Sequence, residues 1–196
     1  MPRITLPDGS TRDFDAPVTA LEVAKDISPR LAKDALGARI DDDLCDLSTS
    51  IAQDATVSIV ATRKGEDASD DALFLLRHSC AHIMAEAIER VRPGAQLVYG
   101  PPVDGGFYYD IAFAEGQELS SEDFEAIEAQ MQAIVDEDRP FTRLQLSADE
   151  GIARLDEEGS KYKIDNARRA LDGGADTLSW YATGTPGSDF EDLCRG

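Results

Sequence analysis

The chain contains two histidines, His78 and His82, four residues apart in Arg77-His78-Ser79-Cys80-Ala81-His82. On a helix that spacing brings both imidazoles to one side, about 40° apart around the axis. A neutral imidazole there can act as a general base near neutral pH or as a metal ligand. A thiol of related chemistry, Cys194, stands in Asp192-Leu193-Cys194-Arg195-Gly196. The spacing predicts a helix over residues 72–92. Leu73, Leu76, Cys80, Ile83, Met84, Ala87, Ile88 and Val91 recur at three- and four-residue steps, Asp70 and Asp71 precede them, Arg90 and Arg92 end the run, and Pro93-Gly94 stops it. The apolar stripe centres on Cys80, which therefore reads as a core residue, and the histidines project from the opposite face. Leu75 and Ala85 flank them, so that face is expected to be covered by something.

Other elements must supply the cover. In residues 1–62, Ile4-Thr5-Leu6, the turn Pro7-Asp8-Gly9-Ser10 and Thr11–Phe14 read as a hairpin. Thr19 and Glu22 form a capping box that opens a short helix through Val23, Ala24 and Ile27. Strands follow at 35–40, 44–47 and 55–60 around a turn at Asp41-Asp42-Asp43. That order suggests a small β-grasp fold, with no titratable cluster to support catalysis and hence structural or recognition work. Residues 63–69 are polar and aperiodic, a linker. A larger α+β unit spans 70–196. It has strands at 97–99 and 107–111, a helix capped by Ser120 and Asp123 that carries Phe124, Ile127, Met131, Ile134 and Val135, a helix opened by Ser147 and Glu150 that ends near Gly159, and closing strands at 178–182 and 190–194.

Composition narrows the function. No apolar run approaches the ~18 residues of a membrane helix, the start is not a signal peptide, and three widely spaced cysteines fit free thiols in a reducing cytoplasm. The net charge of −20 argues against a strong grip on any polyanion. A local basic strip of Lys161, Lys163, Arg168 and Arg169 is the exception.

Taken in order, Thr5-Leu6-Pro7-Asp8-Gly9-Ser10, Arg77-His78-Ser79-Cys80-Ala81-His82, Gly105-Gly106-Phe107-Tyr108-Tyr109-Asp110, Tyr162-Lys163 and Asp192-Leu193-Cys194-Arg195-Gly196 resemble the N-terminal half of the bacterial threonyl-tRNA synthetases. The resemblance implies a TGS domain of β-grasp (ubiquitin-like) fold, followed by an α+β editing domain with its histidine helix packed on an antiparallel sheet and its C-terminal end missing. It implies hydrolysis of mischarged Ser-tRNA(Thr), a task that arises because one methyl group separates serine from threonine by only ~1–3 kcal/mol of binding. It carries catalytic roles to His78, His82, Lys163 and Cys194, and pocket-lining roles to Tyr109 and Asp192. A further histidine is expected two residues beyond Gly196. The aminoacylation core, with ATP, magnesium and zinc, would lie outside this chain, which itself needs no cofactor or metal. The expected partners are the acceptor end of tRNA(Thr), bound weakly, and its seryl ester, with no membrane. This chain alone is expected to be a monomer, and the complete enzyme a cytoplasmic homodimer.

Three chemistries fit these residues. His78 first, or His82, activates water while Lys163 steadies the oxyanion and orients the terminal ribose. Zinc on His78, His82, Cys194 and the further histidine ranks second, as in related alanyl editing domains. Cys194 as an acyl nucleophile ranks third. Outside the resemblance stand a free-standing trans-editing deacylase and a non-catalytic TGS regulatory module, which leaves the histidine pair unexplained.

Overall fold

The computed structural model describes residues 1–63, 65 and 67–194. Lys64 and Glu66 of the expected linker, and the Arg195-Gly196 end of the last motif, lie outside the described residues. The chain forms two compact units, Met1–Leu76 and Arg77–Gly196. No described helix is long and apolar enough to cross a membrane.

In the first unit, β1 (Arg3–Thr5) and β2 (Thr11–Asp13) form the predicted hairpin. After β3 (Val18–Thr19) come α1 (Ala20–Ile27), opened by the Thr19–Glu22 capping box, and α2 (Pro29–Asp34). Then follow β4 (Ala35–Ile40), β5 (Asp43–Cys45), β6 (Ser50–Ile51) and β7 (Ala55–Ala61). The sheet order is β2-β1-β7-β4-β5, with β1 parallel to β7 and the other pairs antiparallel. Ile4, Val18, Ala20, Val23, Ala38, Ile51 and Val57 fill the core between sheet and α1. This is the β-grasp arrangement. The strand expected at 44–47 stops at Cys45, and α2, with Ser28 capping its Arg30 and Leu31 amides, lacks the apolar periodicity that would announce it.

The unit boundary falls inside α3 (Asp70–Val91). Beyond it come β8 (Gln96–Tyr99), β9 (Pro102–Val103), β10 (Gly106–Phe107) and β11 (Asp110–Ala112). The single strand expected at 107–111 is thus broken after Phe107, and its halves pair with β9 and β8. Next are α4 (Phe124–Asp136), β12 (Phe141–Ser147), α5 (Ala148–Glu157), α6 (Lys161–Asp172), β13 (Thr177–Thr183) and β14 (Phe190–Leu193).

Two cores hold this second unit. Ala87 and Ile88 of α3 meet Ile127 and Ile134 of α4. Leu155, Ala167, Leu178 and Trp180 join α5 and α6 to one face of the antiparallel sheet β12-β13-β14. A Cβ on Gly151 would lie 2.8 Å from Leu178 and 2.9 Å from Trp180, so α5 reaches the sheet only with glycine there. Phe124 and Val135, expected in the core of α4, are 57% and 53% exposed, and Leu76 of the α3 stripe is 39% exposed. Of the expected stripe, Ala87 and Ile88 are buried and Ile83, Met84 and Val91 pack against that core, while Ala81 and Ala85 add buried positions beside it.

Candidate active site

Alternation along β13 sends Leu178 and Trp180 to the α5 and α6 side and Ser179, Tyr181 and Thr183 to the other. On that other side His78 and His82 of α3 meet the sheet, with ring centroids 5.0 Å apart. Tyr181 stands 6.1 Å from the His78 ring and 5.9 Å from the His82 ring. The strand β14 pairs Asp192 with Tyr181 and then delivers Cys194, whose N–H donates to the Ser179 carbonyl at 2.9 Å. Ser179 returns a hydroxyl hydrogen bond to the Cys194 carbonyl.

Two linked clusters result. In the first, His78 Nε2 lies 2.8 Å from Cys194 Sγ. The second is built on the buried Asp192 carboxylate. Lys163 Nζ, from α6, donates to its Oδ1 at 2.5 Å, Tyr109 donates its hydroxyl to Oδ2, and His82 Nδ1 makes a 3.1 Å ion-pair contact with Oδ2. His82 Nε2 is buried with no hydrogen-bond partner among the described residues. Tyr109 gets in because residue 100 is glycine: a Cβ there would lie 2.3 Å from the tyrosine ring. All six sequence-selected side chains are therefore in one place. Tyr109 faces the site, and Tyr108 is exposed. Lys163 is buried, so it does not belong to a surface strip with Lys161 and Arg168, which lie on the outer face of α6.

The electrostatics follow from this packing. Burial opposes ionisation of Asp192, but Lys163 and His82 outweigh it and hold the carboxyl well below the usual carboxylate range. Burial likewise works against a charged His82, yet Asp192 and the Cys194 sulfur lift it from 6.5 to about 9. Burial pushes the Cys194 thiol up, and the His78 hydrogen bond together with the nearby His82 ring more than reverses that, bringing it from 9.0 to about 6. Burial and the neighbouring Asp192 raise the Tyr109 phenol, which stays an O–H donor. Near neutral pH the cluster thus holds a thiolate and an imidazolium on His82. Cys80, expected in the core, is half-buried, and that partial burial raises its thiol.

Sequence reasoning misses Tyr181, Ser179, Glu86 and Glu89. The last two stand four and seven residues after His82, on its own helix stripe, and that step is the signal that could find them. Burial raises the Glu89 carboxyl, against the opposing charge of Lys163.

His78, His82 and Cys194 present one donor atom each within 4.8 Å of one another. The donor types suit zinc, and His82, with Nδ1 toward a carboxylate and Nε2 unpartnered, has the form of a supported ligand. The 2.8 Å His78–Cys194 contact is shorter than the roughly 3.5 Å edge that zinc bond lengths imply for a tetrahedron, so this pair would have to part to admit an ion.

Residues 2–61 match the TGS domain family. Over all 196 residues the chain is 46% identical to a protein of Acidithiobacillus ferrooxidans, 43% to one of Paramagnetospirillum magneticum and 42% to one of Granulibacter bethesdensis. Each of these is named threonine--tRNA ligase, and the match takes in 100% of this chain but only 28%, 29% and 28% of the relatives. The chain therefore spans less than a third of the length of the curated relatives it matches. With a TGS domain at its start and this likeness along its whole length, the chain belongs to the N-terminal region of the threonine--tRNA ligase family.

Proposed function

We propose that the second unit is an editing deacylase that hydrolyses the ester of mischarged Ser-tRNA(Thr), within a cytoplasmic enzyme that charges tRNA(Thr) with threonine using ATP. The observation that carries this reading is the His78–Cys194 contact at 2.8 Å beside a buried carboxylate that gathers Lys163, His82 and Tyr109. An aminoacyl ester is already activated, so a positioned base and an oxyanion donor are enough.

His82 is cationic at neutral pH, so proton removal falls to His78 and its partner Cys194. Water gives its proton to this pair as its oxygen bonds to the seryl carbonyl carbon; the carbon–oxygen bond to the ribose then breaks, the pair returns that proton to the departing ribose oxygen, and serine and tRNA are released. Lys163 and the His82 imidazolium face the negative charge that develops on the carbonyl oxygen. A second reading, with Cys194 as nucleophile, is favoured by its lowered thiol pKa of about 6. The same donors would suit zinc, which when bound supplies Lewis-acid activation of water.

The first unit serves recognition. With a net charge of −20, this chain meets the tRNA acceptor end through few cations, so the chain alone binds tRNA weakly and remains a monomer. The rest of the enzyme supplies the ATP, magnesium and zinc sites and the dimer interface. The test is deacylation of Ser-tRNA(Thr) by the complete enzyme with Cys194→Ala and Cys194→Ser. Loss in both variants with a trapped acyl-enzyme in the wild type favours the nucleophile. Loss without such a species favours activated water, and wild-type rates in both variants contradict the site.

A further inference from the structure

The helix meets the sheet beside this site through polar groups, with His78, His82 and Glu86 facing Ser179, Tyr181 and Thr183. Apolar side chains can slide and repack, whereas hydrogen bonds have fixed lengths. The spacing across such a seam is therefore set by whichever polar contacts cross it. Asp192 is fixed from α6 by Lys163, which leaves the depth of α3 itself to be set.

Besides the His78–Cys194 and His82–Asp192 contacts, one further contact crosses the seam a turn along α3. Glu86, one turn beyond His82, is 5% exposed. Its Oε1 accepts from Arg90 at 2.7 Å and from Arg139 at 2.6 Å. Arg139 also donates to the Thr183 carbonyl at the end of β13 and pairs with Glu137 at 2.7 Å. A single guanidinium thus joins the histidine helix to the strand that carries Tyr181, two residues from Thr183. Stability does not explain the arrangement: Glu86 Oε2 and Thr183 Oγ1 are buried with no hydrogen-bond partner among the described residues, and apolar side chains would fill such a place at no loss. A planar fork that fixes direction as well as distance does explain it.

We infer that Glu86 and Arg139 form a brace that sets the depth of His82 against Tyr181 and Asp192, which makes both of them positioning residues for this site. The inference rests on the deacylase reading for its kinetic consequence, but its structural consequence is independent of that reading.

The test uses Glu86→Ala, Glu86→Gln and Arg139→Gln. In the 196-residue chain, proton NMR reads the nuclear Overhauser contacts between the His82 and Tyr181 rings. They should be lost in Glu86→Ala and Arg139→Gln and kept in Glu86→Gln, which retains an acceptor for Arg139. In the complete enzyme, single-turnover deacylation of Ser-tRNA(Thr) should fall about 10²-fold in Glu86→Ala and Arg139→Gln with tRNA affinity unchanged, and Glu86→Gln should recover most of the rate. Should Glu86→Ala fail to fold, Arg139→Gln carries the test alone. Unchanged ring contacts in a folded Arg139→Gln variant overturn the brace. So does a rate loss that appears wholly as weakened tRNA binding. A wild-type enzyme that does not deacylate removes the proposed function instead, and the ring contacts still decide the brace.

Discussion

The two units handle charge in opposite ways. In the first, charged side chains pair at the surface, as in Arg3–Asp13 and Arg12–Asp26, and the core is apolar. In the second, the described residues include buried His82, Glu86, Asp123, Lys163, Ser179, Thr183 and Asp192. Burying ionised groups costs several kcal/mol each unless they are paired with good geometry. A fold that only had to be stable would not gather a lysine, two carboxylates and a histidine along one helix–sheet seam. The contrast says where chemistry is to be sought: the first unit leaves its charges at the surface, and the second holds several out of water along the seam that carries His82.

The largest expected effect breaks that contrast at its centre. Asp192→Ala leaves Lys163 buried without its carboxylate and should destabilise the second unit by about 3–5 kcal/mol. Urea unfolding followed separately by Trp180 fluorescence and by first-unit amide signals should show the two transitions drawing apart, with the first-unit midpoint unmoved.

Gly100→Ala should have the next effect. The added Cβ falls 2.3 Å from the Tyr109 ring, an overpacking that typically costs about 1–3 kcal/mol. It should also displace the Tyr109 hydroxyl from Asp192, visible as a shifted tyrosine absorption titration.

The pH dependence sharpens the comparison further. The Cys194 contribution to stability is complete above pH 9.0 and lost as pH falls toward about 6. The His82 contribution runs the other way, complete below 6.5 and lost as pH rises through about 9. Over the shared window the slopes oppose, so the second unit's urea midpoint should be nearly flat. Cys194→Ala should uncover the histidine slope and make stability fall as pH rises; a midpoint that rises instead contradicts the assignment.

The smallest effect belongs to the first unit. Ser28→Ala removes the cap on Arg30 and Leu31 of α2 and should cost about 1 kcal/mol in that unit's transition alone.

What the sequence discloses follows the range of each interaction. The capping boxes at Thr19, Ser120 and Ser147 form as expected because donor and acceptor are three residues apart. The histidine pair is legible for the same reason. Periodicity marks Phe124 and Val135 as apolar but does not say which side of α4 meets a neighbour; eleven residues apart, they share one face to within about 20°, and that face is the outer one. The helix α6 goes unannounced because Lys161, Lys163, Arg168 and Arg169 mask a sparse stripe of Ile164, Ala167 and Leu171. Tyr181, Ser179 and Arg139 enter the site through the register of β13 against β14 and through contacts distant in sequence, which no local pattern encodes.

In the proposed function the His78–Cys194 pair, held beside Asp192, does the hydrolytic work. The most direct measurement is deacylation of Ser-tRNA(Thr) by the complete enzyme carrying His78→Ala, with threonine activation measured in parallel. Deacylation should fall by about 10²–10⁴ while activation stays nearly intact. Deacylation at the wild-type rate would contradict that role.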